Sequence, residues 1–111
     1  MIKLDIKPLS VNEAYSGRRV KTEKYRVFEK EVWYSLPRGN VPRGKLGLRV
    51  EFGFSNEGSD VDNGVKNFLD ILQNKYTFND KMVYEINAKK TITKKGEEFI
   101  KYELYAYKAT A

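Results

Sequence analysis

Apolar and polar positions follow two different rhythms along this chain. Ile2, Leu4 and Ile6 alternate with polar neighbours, which predicts a short strand. Residues 8–20 hold Pro8, Ser10, Asn12, Gly17 and two arginines, and read as a loop. Tyr25, Phe28, Val32, Trp33 and Leu36 then recur at helical spacing, so an amphipathic helix is expected over 23–36. The stretch from Pro37 to Gly44, with two prolines and two arginines, breaks it and forms a second, basic loop. Leu46, Leu48, Val50, Phe52 and Phe54 alternate strictly and give the clearest strand. Beyond the turn-rich residues 55–61, Val65, Phe68, Leu69 and Leu72 mark a helix over about 62–74, with Asp60 or Asp62 at the N-cap position. A turn around Thr77–Asp80 leads to strands over about 83–93 and 98–107, joined by a hairpin loop at Lys94-Lys95-Gly96-Glu97. The order β-α-β-α-β-β predicts an α+β fold, a mixed sheet with helices packed on it, as a single domain over residues 1–111.

Composition narrows the chemistry. The 111 residues include no cysteine and no histidine. Disulfides, thiolate zinc sites and cysteine nucleophiles are therefore excluded. Any general base must be a carboxylate, a lysine, a tyrosine or a metal-activated water. No stretch reaches the roughly 20 apolar residues that span a membrane, and nothing resembles a targeting segment. A soluble cytoplasmic protein is expected. The net charge is +6, and residues 1–45 carry all of it, with eleven Lys/Arg against five Asp/Glu. Such a basic half suits a phosphate-binding surface, or else an ordinary solvated face.

The candidate chemistry lies in Asp60-Val61-Asp62-Asn63-Gly64-Val65-Lys66. Two carboxylates at i and i+2 can converge where a loop turns into a helix. Asp62, Lys66 and Asp70 are spaced by four, so on a helix they share one flank beside the apolar stripe. Asp80 follows in Phe78-Asn79-Asp80. Clustered carboxylates repel unless a cation sits between them, and an all-oxygen donor set suits Mg²⁺, Mn²⁺ or Ca²⁺. An EF-hand loop starting at Asp60 fails, because Val65 and Ile71 stand where its glycine and bidentate glutamate belong. The bland alternative is an N-capping aspartate followed by i,i+4 pairs on a solvated helix. In that reading Lys66 only partners Asp62 or Asp70, and Asp80 is a turn residue. Tyr84, Tyr102, Tyr105 and Tyr107 fit sheet packing better than base stacking.

The string Asp60-x-Asp62-Asn63-x-x-Lys66-x-x-x-Asp70-x-Leu72, followed by Asn79-Asp80-x-x-Val83, resembles the RusA family of Holliday junction resolvases. Pro8-Leu9-Ser10-Val11-Asn12-Glu13-Ala14-Tyr15 is similar to a P-x-S-x-N-type loop of the same family. The resemblance implies a Mg²⁺-dependent homodimer, with Mn²⁺ as a substitute, that nicks two opposed strands of branched DNA in recombination and repair. It implies Asp60, Asp62 and Asp80 as metal ligands and catalytic acids, Lys66 as the catalytic lysine and Asp70 in support. Family members often carry basic residues before the first aspartate, where this chain has Ser55-Asn56-Glu57-Gly58-Ser59. DNA contacts are therefore expected from Arg18, Arg19, Lys21, Lys24 and Arg26, with Asn12 shaping the loop near the site. Two rivals belong to other classes: a non-catalytic, structure-selective DNA-binding protein, and a structural Ca²⁺ or Mg²⁺ binder.

Overall fold

Thr22 starts the first helix. Its Oγ1 accepts a hydrogen bond from the Tyr25 N–H at 3.2 Å, satisfying one of the donors a helix leaves bare at its N-terminus. The helix, α1 (Glu23–Ser35), stops because Leu36 precedes Pro37, and a residue before proline is driven out of the helical region. Leu36 is extended, at φ −68° and ψ 134°.

The computed structural model describes residues 1–9, 15–16, 20–58 and 61–108, without the side chains of Tyr15, Ser16, Val20, Asp62 and Asn63. Besides α1, the elements are β1 (Ile2–Leu4), β2 (Tyr15–Ser16), β3 (Val20–Lys21), β4 (Leu46–Phe54), α2 (Val61–Tyr76), a 3₁₀ turn (Asp80–Met82), β5 (Val83–Ile92) and β6 (Phe99–Ala106). The main sheet has the order β1-β6-β4-β5. β4 runs parallel to β5 and antiparallel to β6, while β1 pairs antiparallel with β6. β4 thus separates β5 from β6, and residues 94–97 connect two strands that do not pair, not the hairpin expected from the sequence. The sheet is therefore mixed, as expected, and α2 is the crossover that a parallel neighbour requires. β2 and β3 form a separate small hairpin within the span expected to be loop.

One face of the sheet holds the core. Leu48, Val50, Phe52 and Phe54 of β4 and Ile100 and Tyr102 of β6 are buried against Tyr25, Phe28 and Val32 of α1 and Phe68, Ile71 and Leu72 of α2. Phe68 meets Phe52 edge-on, with ring centroids 6.3 Å apart and planes at 88°, and meets Tyr102 at 5.2 Å and 68°. Full burial of such a side chain contributes about 1.5–3 kcal/mol, so this trio holds the middle of α2 on the sheet. Gly64 brings its first turn down as well. A Cβ there would lie 3.1 Å from the Phe52 ring, so the bare backbone allows the close approach.

Candidate active site

Three hydrogen bonds fix the loop that precedes Asp60. Ser55 Oγ donates to Glu98 Oε2 at 2.7 Å, Lys90 Nζ to the Glu57 carbonyl at 2.9 Å, and Gly58 N–H to Asn56 Oδ1 at 3.1 Å. The Ser55 hydroxyl also holds the Glu98 carboxyl below its ordinary pKa. The span from β4 to α2 is thus tied to β5 and to the residue just before β6. None of Glu98, Lys90 or Ser55 stands out in the sequence, since each acts through a partner more than 30 positions away.

Thr77 reverses the chain at the far end of α2. Its φ of 54° is the left-handed conformation in which many helices terminate. Tyr76 anchors that end, donating its hydroxyl to the Pro37 carbonyl at 2.7 Å and lying 3.3 Å from the Tyr102 hydroxyl. Burial, and then the bond with Tyr76, push the Tyr102 phenol well above its ordinary range, so it stays neutral. Asn79 next caps the 3₁₀ turn, its Oδ1 accepting from Lys81 N–H at 3.0 Å. Asp80 opens that turn and is exposed.

Asp70 lies on α2, one turn beyond Lys66, and is partly buried. Partial burial is the main cause that raises its carboxyl above the ordinary value of 3.8. Four side chains act on it electrostatically. Lys66 and Lys21 favour the ionised form, and Asp80 and Glu29 oppose it. The structure therefore gathers Lys66, Asp70 and Asp80, which the sequence placed in one constellation. It adds Lys21 from β3, and Glu29 from α1, which the sequence did not single out. Asp62 lies in the first turn of α2, one turn before Lys66, or about 6 Å along the axis. Asp60, Asn12, Arg18 and Arg19 lie outside the described residues, as does the Asp62 side chain. Among the described residues, no three carboxylates gather closely enough to hold a metal ion. The ligand set expected from the sequence draws two of its three acids from Asp60 and Asp62. Its donor chemistry fits a hard cation, because the chain offers only oxygen ligands and Asp70 and Asp80 bear on each other as like charges.

A stability effect follows for Asp70. A raised folded pKa means that ionisation is disfavoured in the folded state, so the cost is absent below the ordinary pKa and fully present above the raised one. Asp70→Asn is expected to raise the melting temperature at pH 7. The gain should shrink as the pH falls and vanish only below the ordinary value of 3.8, as thermal melts across that range would record. A constant gain at every pH would assign the effect to something other than the carboxylate.

The basic residues divide into two groups. Lys21 Nζ bonds Glu29 Oε2 at 3.2 Å and lies 5.0 Å from the Tyr25 ring centre. Arg26 is 3.9 Å from Glu23, with both side chains exposed. Lys24 is also on α1 and exposed. Arg43 belongs to an open cleft of about 470 Å³, shared with Asn40, Thr77, Phe78 and Asn79. The second basic loop thereby meets the turn that carries Asp80, a proximity the sequence does not reveal.

Compared with known protein families, residues 7–102 match the model described as Endodeoxyribonuclease RusA. A comparison with curated proteins gives no significant match. The matched span includes every acid of the constellation, Lys66, and the basic residues from Arg18 to Arg43. Among the described residues, no helix is long and apolar enough to cross a membrane.

Proposed function

Because the chain belongs to the RusA endodeoxyribonuclease family, we propose that it is a magnesium-dependent nuclease that resolves Holliday junctions and similar branched DNA by paired nicks in opposed strands, in recombination and repair. The observation that carries this reading is the family match across the whole acid-and-lysine constellation. The gathering of Lys66, Asp70 and Asp80 supports it.

Asp60, Asp62 and Asp80 would hold Mg²⁺, or Mn²⁺ in its place. The ion supplies neutralisation of charge on a phosphoryl oxygen and a water of lowered pKa. Lys66 brings a compact cation to the same flank, where it orients the attacking water or offsets the negative charge that grows on the phosphate. Asp70 keeps Lys66 in place, since the two attract across one helical turn. Arg18, Arg19, Lys21, Lys24 and Arg26 hold the phosphate backbone, and Asn12 shapes the loop that approaches it. Lys21 and Arg26 would leave acidic partners to do so. Surface pairs of this kind are worth only about 0–1 kcal/mol, so the exchange costs little. A four-way junction is close to two-fold symmetric, so a homodimer with C₂ symmetry would present one site to each of two opposed strands.

The test is incubation with a synthetic four-way junction and with a linear duplex of the same sequence, both in Mg²⁺. Nicks in two opposed strands of the junction, with the duplex intact, are the expected result. Equal cutting of the duplex would refute junction selectivity. Tight junction binding without any cutting would favour the non-catalytic DNA-binding alternative.

A further inference from the structure

Two loops border the open cleft of about 470 Å³ that lies beside the turn of Asp80. One wall is the basic loop after α1, and the other is the turn between α2 and β5. Both walls are held in place. Tyr76 donates its hydroxyl to the Pro37 carbonyl at 2.7 Å and so ties the first loop to the end of α2. Gly44, at φ 84°, leads that loop toward β4 in a conformation other residues rarely adopt. Asn79 commits its Oδ1 to the Lys81 N–H at 3.0 Å, which shapes the second wall. The side chains of Asn40 and Arg43 differ from these. Both line the cleft, both are exposed, and neither makes a hydrogen bond or an ion pair among the described residues. Lys45 and Lys81, next in sequence to Gly44 and Met82 of the lining, have no acidic partner among the described residues either. Lys21 and Arg26, by contrast, already sit against Glu29 and Glu23. Positive charge without a counter-charge thus collects beside Asp80.

We propose that this cleft takes one unstacked nucleotide of branched DNA, next to the phosphate to be cut. Its volume falls in the range of roughly 300–1,000 Å³ that suits small organic ligands, and a nucleotide is a ligand of that size. Arg43 supplies a planar fork of donors that matches the oxygens of a phosphate. Asn40 offers an amide with both a donor and an acceptor, the pattern that reads the edge of a base. Phe78 lines the same cleft and gives apolar ring surface for the base. Lys45 and Lys81 flank it and hold the neighbouring phosphates. A base within a duplex enters such a cleft only at the cost of its stacking and pairing. That cost is least where stacking is already interrupted, as at a branch point. The cleft therefore adds selectivity for branches and a preference among bases, beyond the affinity that any basic surface supplies.

This inference deepens the proposed function and rests on it for the place of Asp80 beside the scissile phosphate. The test sets aminopurine, a fluorescent adenine analogue that stacking quenches, in turn at each nucleotide flanking the exchange point of a synthetic four-way junction. Binding is followed in Ca²⁺ over a range of salt concentrations, and cutting in Mg²⁺ on junctions that differ at that nucleotide. The parent protein should raise the emission strongly at one position, and a linear duplex carrying the same probe should show no rise. Arg43→Ala, an exposed change, should remove most of the rise, weaken junction binding by about tenfold and lower the salt slope by about one. Asn40→Ala removes no charge, so it should leave the salt slope unchanged and narrow the spread of cutting rates among the junctions. Junction binding by the parent with no rise at any position would overturn the nucleotide cleft and leave the paired-nick reading intact. A rise and a salt slope that Arg43→Ala leaves unchanged would overturn it equally. A rise that depends on Arg43, without any cutting in Mg²⁺, would support the cleft and contradict the proposed chemistry alone.

Discussion

Replacing Asp62 with asparagine is expected to lower junction cleavage by at least about 10²–10³-fold, the scale on which removing a single preorganised electrostatic group acts. Junction binding should stay as tight or become tighter. The variant keeps the side-chain shape and removes a negative charge that repels the phosphate backbone when no metal is bound. The fold should survive, since Asp62 lies within the first turn of α2, not at its cap, and losing a negative charge in that turn costs only about 0.3–1 kcal/mol. Gly64 and Phe68 of α2, the anchors of that helix on Phe52, are untouched. The two measurements belong together, cleavage under single-turnover conditions and binding by titration of labelled junction. Retained cleavage would remove Asp62 from the site and leave it as an ordinary helix-start residue. Loss of both activities would indicate a damaged fold.

The second large effect is expected at Lys66. Lys66→Met keeps the length of the side chain and removes the charge, and should slow cleavage by about 10²-fold. It should also lower stability at neutral pH, because Lys66 favours the ionised form of Asp70 against burial and against the charge of Asp80. Lys66→Arg should recover the stability but only part of the rate, since a broad, planar guanidinium does not replace a compact ammonium. Single-turnover rates and thermal melts of the two variants separate the roles. Full cleavage by Lys66→Met with reduced stability would make Lys66 a partner of Asp70 and nothing more.

Much of this was legible in the sequence, for identifiable reasons. The strict alternation from Leu46 to Phe54 marks β4, because one face of that strand is buried along its length. The helical period of Tyr25, Phe28 and Val32 marks α1, because those residues meet the core. The pairing of β2 with β3 was hidden, since strands of two residues are too short to show a period. In the site, Lys66 and Asp70 are a local i,i+4 pair and could be read directly. The approach of Asp80 to Asp70 depends on the reversal at Thr77, and that of Glu29 and Lys21 on how the α1 region packs beside α2. Sequence spacing carries no record of either. The exposure of β5 was equally hidden, because its apolar residues identify a strand without saying how far the helical layer reaches.

The acids are expected to act through a bound divalent cation. The most direct measurement is cleavage of a synthetic four-way junction by protein freed of metal with EDTA, then supplied with Mg²⁺, Mn²⁺ or Ca²⁺ in parallel. No cleavage without metal, full recovery with Mg²⁺ or Mn²⁺, and binding with little cutting in Ca²⁺ are predicted, because the larger ion with its looser geometry positions the attacking water poorly. Full cleavage in EDTA would contradict the account.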